Sequence, residues 1–254
     1  LDGQLLAGAV AGAAVGPVLA SLGGFGTPIV LVVAALAGAA FTLPAFYLSE
    51  GRRVPPVLTT ILLNLLALAL VAWIVRGPLR DPAGDYPQTR PLTAEQRLTP
   101  LVTGTRATVA VPIAFLLAGA VGFALVRTRP GLLLRAAGDS PGAARAAGLP
   151  DVAIRGAGFL LSGGLAGLAG GFEVAALTGR VYDPFAPGLG YTGIAAALLG
   201  GLRPVPSAFM GLLLAALGAG SSAMQRDAGV PASLAAIVPG IAVVAVLLSQ
   251  RKEA

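Results

Sequence analysis

The chain is a succession of long apolar runs broken by short polar punctuation. A bilayer crossing needs about 20 apolar residues. By that measure Leu5–Leu22, Pro28–Leu48, Val57–Val75, Ala107–Val126, Gly156–Leu177, Val205–Met224 and Ala232–Leu248 are predicted spans. Gly23-Gly24-Phe25-Gly26 ends the first of these and Pro55-Pro56 opens the third. Gly190–Gly201, GYTGIAAALLGG, is apolar but too short for an ordinary crossing, so it predicts a broken or re-entrant helix. Such a segment is tolerated only where it lines protein or a wet cavity, the usual setting of a substrate path. The opening LDGQLLAGAVAGA has a similar grain, and the two are candidate counterparts in an internal duplication. The pattern predicts an all-α fold, a polytopic transmembrane helical bundle with short broken or re-entrant helices and about 7–8 membrane segments, read as one domain over 1–254.

Two polar interruptions are longer than turns. Arg76–Arg106 is rich in Pro and Thr and carries Asp81, Asp85 and Glu95. Arg127–Arg155 carries five arginines between apolar segments. If every apolar run crosses, Arg127–Arg155 shares a side with the Arg52-Arg53 turn and the Arg251-Lys252 tail. Basic residues in short loops mark the cytoplasmic face, which predicts Arg127–Arg155 as a cytoplasmic loop and Arg76–Arg106 as an extracytoplasmic one. The latter also carries five arginines, so the bias rests on the shorter loops.

Inside the cytoplasmic stretch, Asp139-Ser140-Pro141 is a helix-start signal, a capping side chain followed by a proline whose missing N–H costs nothing in a first turn. Gly142–Ala147 then allows one or two turns before Gly148-Leu149-Pro150 stops them. Two readings stay open on these residues alone: a loop that fixes orientation, or a helix that docks a cytosolic partner.

Composition narrows the class. The chain is 56% hydrophobic and only 11% charged, with mean hydropathy +0.85, against roughly a quarter charged in soluble domains. It is read as an integral membrane protein. Net charge +6 and a pI near 10.7 would suit nucleic acid, but the arginines lie between apolar segments rather than among aromatics, so no nucleic-acid partner is expected. The sequence has no cysteine and no histidine. This excludes disulfides, thiol chemistry, histidine metal sites and a histidine-based triad. A serine protease built on Ser162-Gly163 would lack its usual base, and no intramembrane aspartate pair offers an aspartyl mechanism. Leu1 lies within an apolar stretch, from which further spans are expected upstream.

Gly163, Gly164, Gly167, Gly170 and Gly171 recur at helical spacing and predict close helix packing. Polar groups within apolar runs are costly and so usually paired or functional. Asn64 has Thr60 one turn earlier, and serves either an interhelical hydrogen bond or a polar solute. Glu173 is either a proton site or a structural acceptor. Gln4, Tyr191 and Thr192 sit on the suspected broken segments, where they suit hydroxyls or ring nitrogens of a ligand. Tyr182 and Phe185 suit an interfacial anchor or a gate.

LRAAGDSPGAARAAGL at 134–149 resembles the cytoplasmic coupling motif of permease subunits from bacterial ABC importers of the ribose, nucleoside and branched-chain amino acid group. DGQLLAGA at 2–9, VLTTILLNLLAL at 57–68, RGPLRDP at 76–82, PQTRPL at 87–92, FLLSGGLAGLAGGFEV at 159–174 and GYTGIAAALLGG at 190–201 resemble the nucleoside branch, in order and over nearly the whole chain. Leu65 stands where an aromatic is common after the asparagine. The resemblance implies a multi-pass permease in the bacterial cytoplasmic membrane, with no catalytic residues, cofactor or metal. It further implies cytosolic ABC ATPase subunits as partners, a second permease that is a different chain, and an extracytoplasmic substrate-binding lipoprotein. The absence of a Gly-x-x-x-x-Gly-Lys-Ser/Thr phosphate loop agrees with an ATPase on another chain. The ATPase-coupling helix then maps to Asp139, Ser140, Pro141, Gly142, Ala143, Ala144, Arg145 and Gly148, with Arg145 facing outward. The substrate pathway maps to Gln4, Thr60, Asn64, Glu173, Tyr191 and Thr192. Ribose-type sugars and branched-chain amino acids are the alternative solutes, and a secondary carrier coupled to an ion through Glu173, an intramembrane enzyme or a scaffolding subunit are alternative classes.

Overall fold

The computed structural model describes residues 2–52, 54–101, 107–227 and 240. Apart from Gly240, the expected Ala232–Leu248 span lies outside the described residues, as do the basic tail, Arg53 and the end of the Arg76–Arg106 connection. In chain order the helices are α1 (Asp2–Val15), α2 (Gly26–Phe41), α3 (Leu43–Arg52), α4 (Pro56–Arg76), α5 (Ala110–Arg127), α6 (Arg129–Asp139), α7 (Pro141–Ala146), α8 (Asp151–Phe172), α9 (Leu189–Leu199) and α10 (Pro204–Asp227). A 3-10 run, Pro17–Phe25, joins α1 to α2, and a π-turn, Glu173–Thr178, extends α8. Among the described residues β structure is limited to isolated bridges. Among the described residues five helical stretches are long and apolar enough to cross a bilayer: Pro17–Arg52, Pro56–Arg76, Ala110–Arg127, Asp151–Thr178 and Pro204–Asp227. The chain is a multi-pass, all-α membrane protein.

The apolar pattern located the long helices but missed two breaks and one polar helix. The expected Leu5–Leu22 rod ends at Val15, because Pro17 has no N–H to give the Ala13 carbonyl, and the chain continues as the 3-10 run. Pro28–Leu48 is divided at Thr42, since Pro44 cannot donate to Ala40; the Thr42 hydroxyl instead donates to the Ala39 carbonyl at 2.6 Å. The polar stretch holds a second helix, α6, started by the same device as α7. The Thr128 hydroxyl accepts from Gly131 N–H at 3.2 Å, with Pro130 in the first turn.

The contact map divides the chain into two compact units, Leu1–Ile113 with Arg127–Gly190, and Ala114–Val126 with Tyr191–Ala254. The first is built on α1, α2 and α8, which meet through glycine. A Cβ on Gly167 would lie 2.3 Å from the Ala34 carbonyl oxygen, and one on Gly170 would lie 2.0 Å from that of Leu5. A Cβ on Gly163 would collide with Thr42 and Gly38. The expected small-residue packing is therefore backbone against backbone. One end of this unit carries the end of α3 and α6 to α8, where Ala137, Ala144 and Ile154 form a small core of their own. At the other end the 76–101 connection folds back onto the membrane helices. Gln96, fully buried, donates to the Gly16 carbonyl at 2.8 Å, and the Thr27 hydroxyl donates to the Gln96 carbonyl at 3.0 Å. Thr89 N–H donates to the Val181 carbonyl at 2.9 Å, and Val181 N–H to the Thr89 hydroxyl at 3.0 Å.

In the second unit α9 and α10 form a hairpin around Ala196, Leu199 and Leu214. The turn between them passes through Gly201 at φ 63°. Phe115 meets Phe209 edge-on, ring centres 4.9 Å apart.

Candidate functional site

The buried face of α4 runs Thr59, Leu63, Asn64, Ala67, Val71 and Val75, the three-and-four spacing of one helix side. Asn64 is the strongly polar member, 8% exposed. Its Oδ1 accepts from Gly3 N–H at 2.8 Å. Asn64 therefore ties α4 to the backbone of α1. Close approach requires the glycine: a Cβ on Gly3 would sit 3.0 Å from both Asn64 Oδ1 and the Phe41 ring. The next residue, Gln4, is 3% exposed, and its Oε1 has no hydrogen-bond partner among the described residues. Gln4 and Asn64 are thus brought to one place, the start of α1.

Thr60, one turn before Asn64, is half-buried and its hydroxyl donates to the Val57 carbonyl at 3.0 Å. Thr59, not Thr60, is the threonine on the buried face. Leu65 is 61% exposed and turns away from that face, so its departure from the usual aromatic leaves the Asn64 side untouched.

Asp2 links this end of α1 to the start of α9, its Oδ1 accepting from Gly190 N–H. Here too glycine is required, since a Cβ on Gly190 would strike the Asp2 carboxylate. Tyr191 and Thr192 follow within the second unit, and both are exposed there.

Glu173 opens the π-turn and lines a cavity of about 670 Å³ with Arg97, Thr99, Thr178 and Tyr182. A π-turn leaves carbonyls out of register, and π-bulges are frequent at functional sites. The connection satisfies two of these carbonyls. Leu98 N–H donates to Ala175 at 2.9 Å, and the Arg97 guanidinium donates to Thr178 at 3.2 Å. Gly179, at φ 69°, then ends the helix. Tyr182 stands against the buried Phe185 ring, centroids 5.8 Å apart.

At the opposite end of α8, α7 is a six-residue helix. The capping group is Ser140, whose hydroxyl accepts from Ala143 N–H at 3.4 Å; Asp139 is instead the last residue of α6. Pro141 fills the first turn and Gly148, at φ 74°, ends the helix. Gly142, Ala143 and Arg145 are exposed, whereas Ala144 is buried against Ala137 and Ile154. Arg145 faces outward, 64% exposed, with the Asp151 carboxylate 3.7 Å away. Sequence reasoning missed the charges beneath α7. Asp151, 6% exposed, accepts from Arg155 at 3.0 Å, and Arg155 also pairs with Glu50 at 2.9 Å. Asp151 directly after Pro150, at a helix start, was the readable signal.

Comparison with known proteins gives the family. The family described as branched-chain amino acid transport system / permease component matches residues 2–247. The glucose ABC transporter permease protein TsgB13 of Haloferax volcanii is 31% identical, covering 98% of this chain and 68% of the relative. The guanosine ABC transporter permease protein NupP of Bacillus subtilis is 30% identical, over 98% of this chain and 72% of its own. The nucleoside ABC transporter permease protein NupC of Lactococcus lactis subsp. cremoris is 27% identical, over 84% and 69%. No solved structure matches the chain. With a family match over almost all of its length and helices that cross a membrane, the chain belongs to the branched-chain amino acid transport system / permease component family.

Proposed function

We propose that the chain is the permease subunit of a bacterial ABC importer, carrying a nucleoside inward through the cytoplasmic membrane by alternating access around the start of α1. One observation carries the reading most: buried Gln4, whose amide oxygen has no partner among the described residues, adjoins Gly3, whose N–H is held by Asn64 of α4. Broken helices with free polar groups are how transport sites are built inside a bilayer. Gln4 and Asn64 would hydrogen-bond the sugar hydroxyls or ring nitrogens of the solute, with Thr60, Glu173, Tyr191 and Thr192 along its path. Cytosolic ATPase subunits would seat on α7 through Gly142, Ala143 and Arg145, the loop 127–155 lying in the cytoplasm. A substrate-binding lipoprotein would deliver solute to the side of the 76–101 connection, and a second permease chain would complete the path. ATP hydrolysis belongs to the ATPase subunits; this chain moves the solute.

A sugar is the second reading, favoured by the glucose-permease relative at 31% identity. The test is uptake into proteoliposomes holding this chain with its ATPase, second permease and binding protein. ATP-dependent accumulation of labelled guanosine that unlabelled glucose does not displace supports the nucleoside reading. Accumulation of glucose replaces it, and uptake driven by a proton gradient without the ATPase refutes the importer.

A further inference from the structure

We propose that Glu50, Arg155 and Asp151 form an ionic strut that carries displacement of α7 to α4, and thereby to Asn64; the inference rests on the importer reading above.

The argument begins with what α7 cannot do alone. Leu149 N–H donates to the Ala144 carbonyl at 3.1 Å, Ala144 is packed on Ala137 and Ile154, and Arg145 faces the Asp151 carboxylate at 3.7 Å. A push on α7 therefore moves the first turn of α8. Arg155 passes that movement on. Its terminal nitrogen lies 3.0 Å from Asp151 Oδ2 on its own helix and 2.9 Å from Glu50 Oε2 on α3, so one guanidinium is shared by carboxylates of two helices. Beside it the Phe46 ring of α3 meets Phe159 of α8 at a tilt of 56°, centres 5.5 Å apart.

Helix α3 suits a lever. It is ten residues long, it is separated from α2 at Thr42, and Pro55-Pro56 leads from its far end directly into α4. Glu50 is two residues from the end of α3, where a pull acts on α4 rather than on α2. Asn64 lies on that α4, holding Gly3.

The strut also has room to change. Asp151 Oδ1 and Arg155 Nε are buried without hydrogen-bond partners among the described residues, so the pairing seen there leaves two strong groups unused. A groove of about 800 Å³ beside them is lined by Phe46, Arg145, Asp151 and Arg155. A partly satisfied ionic cluster next to open space has a second pairing within reach, which is what a two-state element requires.

The test is a double-mutant cycle on Glu50→Gln and Arg155→Gln, read as guanosine imported per ATP hydrolysed in proteoliposomes of the whole transporter. Each single variant is expected to keep assembly and ATP hydrolysis while losing about tenfold in solute moved per ATP, within the usual range of coupling between sites. The double variant is expected to lose no more than the worse single, because both remove one linkage. Losses that multiply, or wild-type coupling in Glu50→Gln, overturn the strut. If Arg155→Gln does not assemble, Glu50→Gln alone decides. A wild-type complex that imports glucose in place of guanosine changes the solute reading only, and the cycle is then run on glucose. A complex that hydrolyses ATP and moves neither solute overturns importer and strut together.

Discussion

At the scale of single residues, Asn64 and Gln4 look alike in sequence and separate in structure. Asn64 spends its carbonyl on Gly3 N–H, whereas Gln4 Oε1 has no partner among the described residues. Their substitutions should therefore diverge. Asn64→Ala leaves a buried N–H without acceptor and is expected to cost about 1–3 kcal/mol of stability together with a loss of uptake. Asn64→Asp keeps the acceptor toward Gly3 but buries an ionisable group in an apolar span, and should lower the melting temperature as well as alter solute affinity. Gln4→Met removes an unsatisfied amide at similar volume and is expected to raise stability by up to about 1 kcal/mol while lowering uptake. Thermal unfolding in detergent and initial uptake rates check all three. A Gln4→Met protein with full uptake would take Gln4 out of the path. Asn64 was legible as a polar interruption of an apolar run. Its bond to Gly3 was not, because that partner is 61 residues away in sequence. Glu50 drew no notice in the sequence for the same reason, its meaning being set by Arg155 on the other side of a tertiary contact.

At the scale of elements, apolar periodicity placed the helices, and proline decided where they break. Pro17 and Pro44 stood in the text of two expected rods, and the steric rule that stops a helix there is local enough to have been read. The glycine run of α8 was read correctly as a packing face; which helices it meets was settled only by tertiary structure. Gly167→Ala is expected to destabilise the assembly by roughly 1–3 kcal/mol, since its Cβ has no space against Ala34 and Gly38. Gly119→Ala on α5 meets nothing within 4 Å and should be neutral or slightly stabilising. Equal effects of the two on the unfolding midpoint would deny the seam. The short docking helix divides in the same way. Gly142→Trp projects into open space and should abolish uptake while the chain still inserts, whereas Ala144→Trp would break the small core beneath it and reduce the amount of folded protein. A Gly142→Trp importer that works normally would remove α7 from the ATPase contact.

At the scale of the whole molecule, the surface is apolar over most of its helices. Val57, Ile61, Leu62 and Leu65 are exposed along α4, and Trp73 stands near its end before Arg76, the usual order of lipid face, aromatic belt and interfacial charge. A chain without native cysteine is suited to mapping its sidedness. Ala143→Cys is expected to react with an impermeant maleimide only from the cytoplasmic face, and Tyr86→Cys, at a residue 77% exposed, only from the other. Labelling of both from one face would dismantle the proposed topology. Gln96 has a different consequence. Connections between helices are ordinarily the part of a protein most tolerant of insertion and trimming, yet this one supplies an amide that joins Leu19 N–H in donating to the Gly16 carbonyl. Natural variation in its length should therefore be confined to the stretch before Thr89, and a shortened graft across Thr93–Gln96 should unseat the 3-10 run rather than merely tidy the exterior.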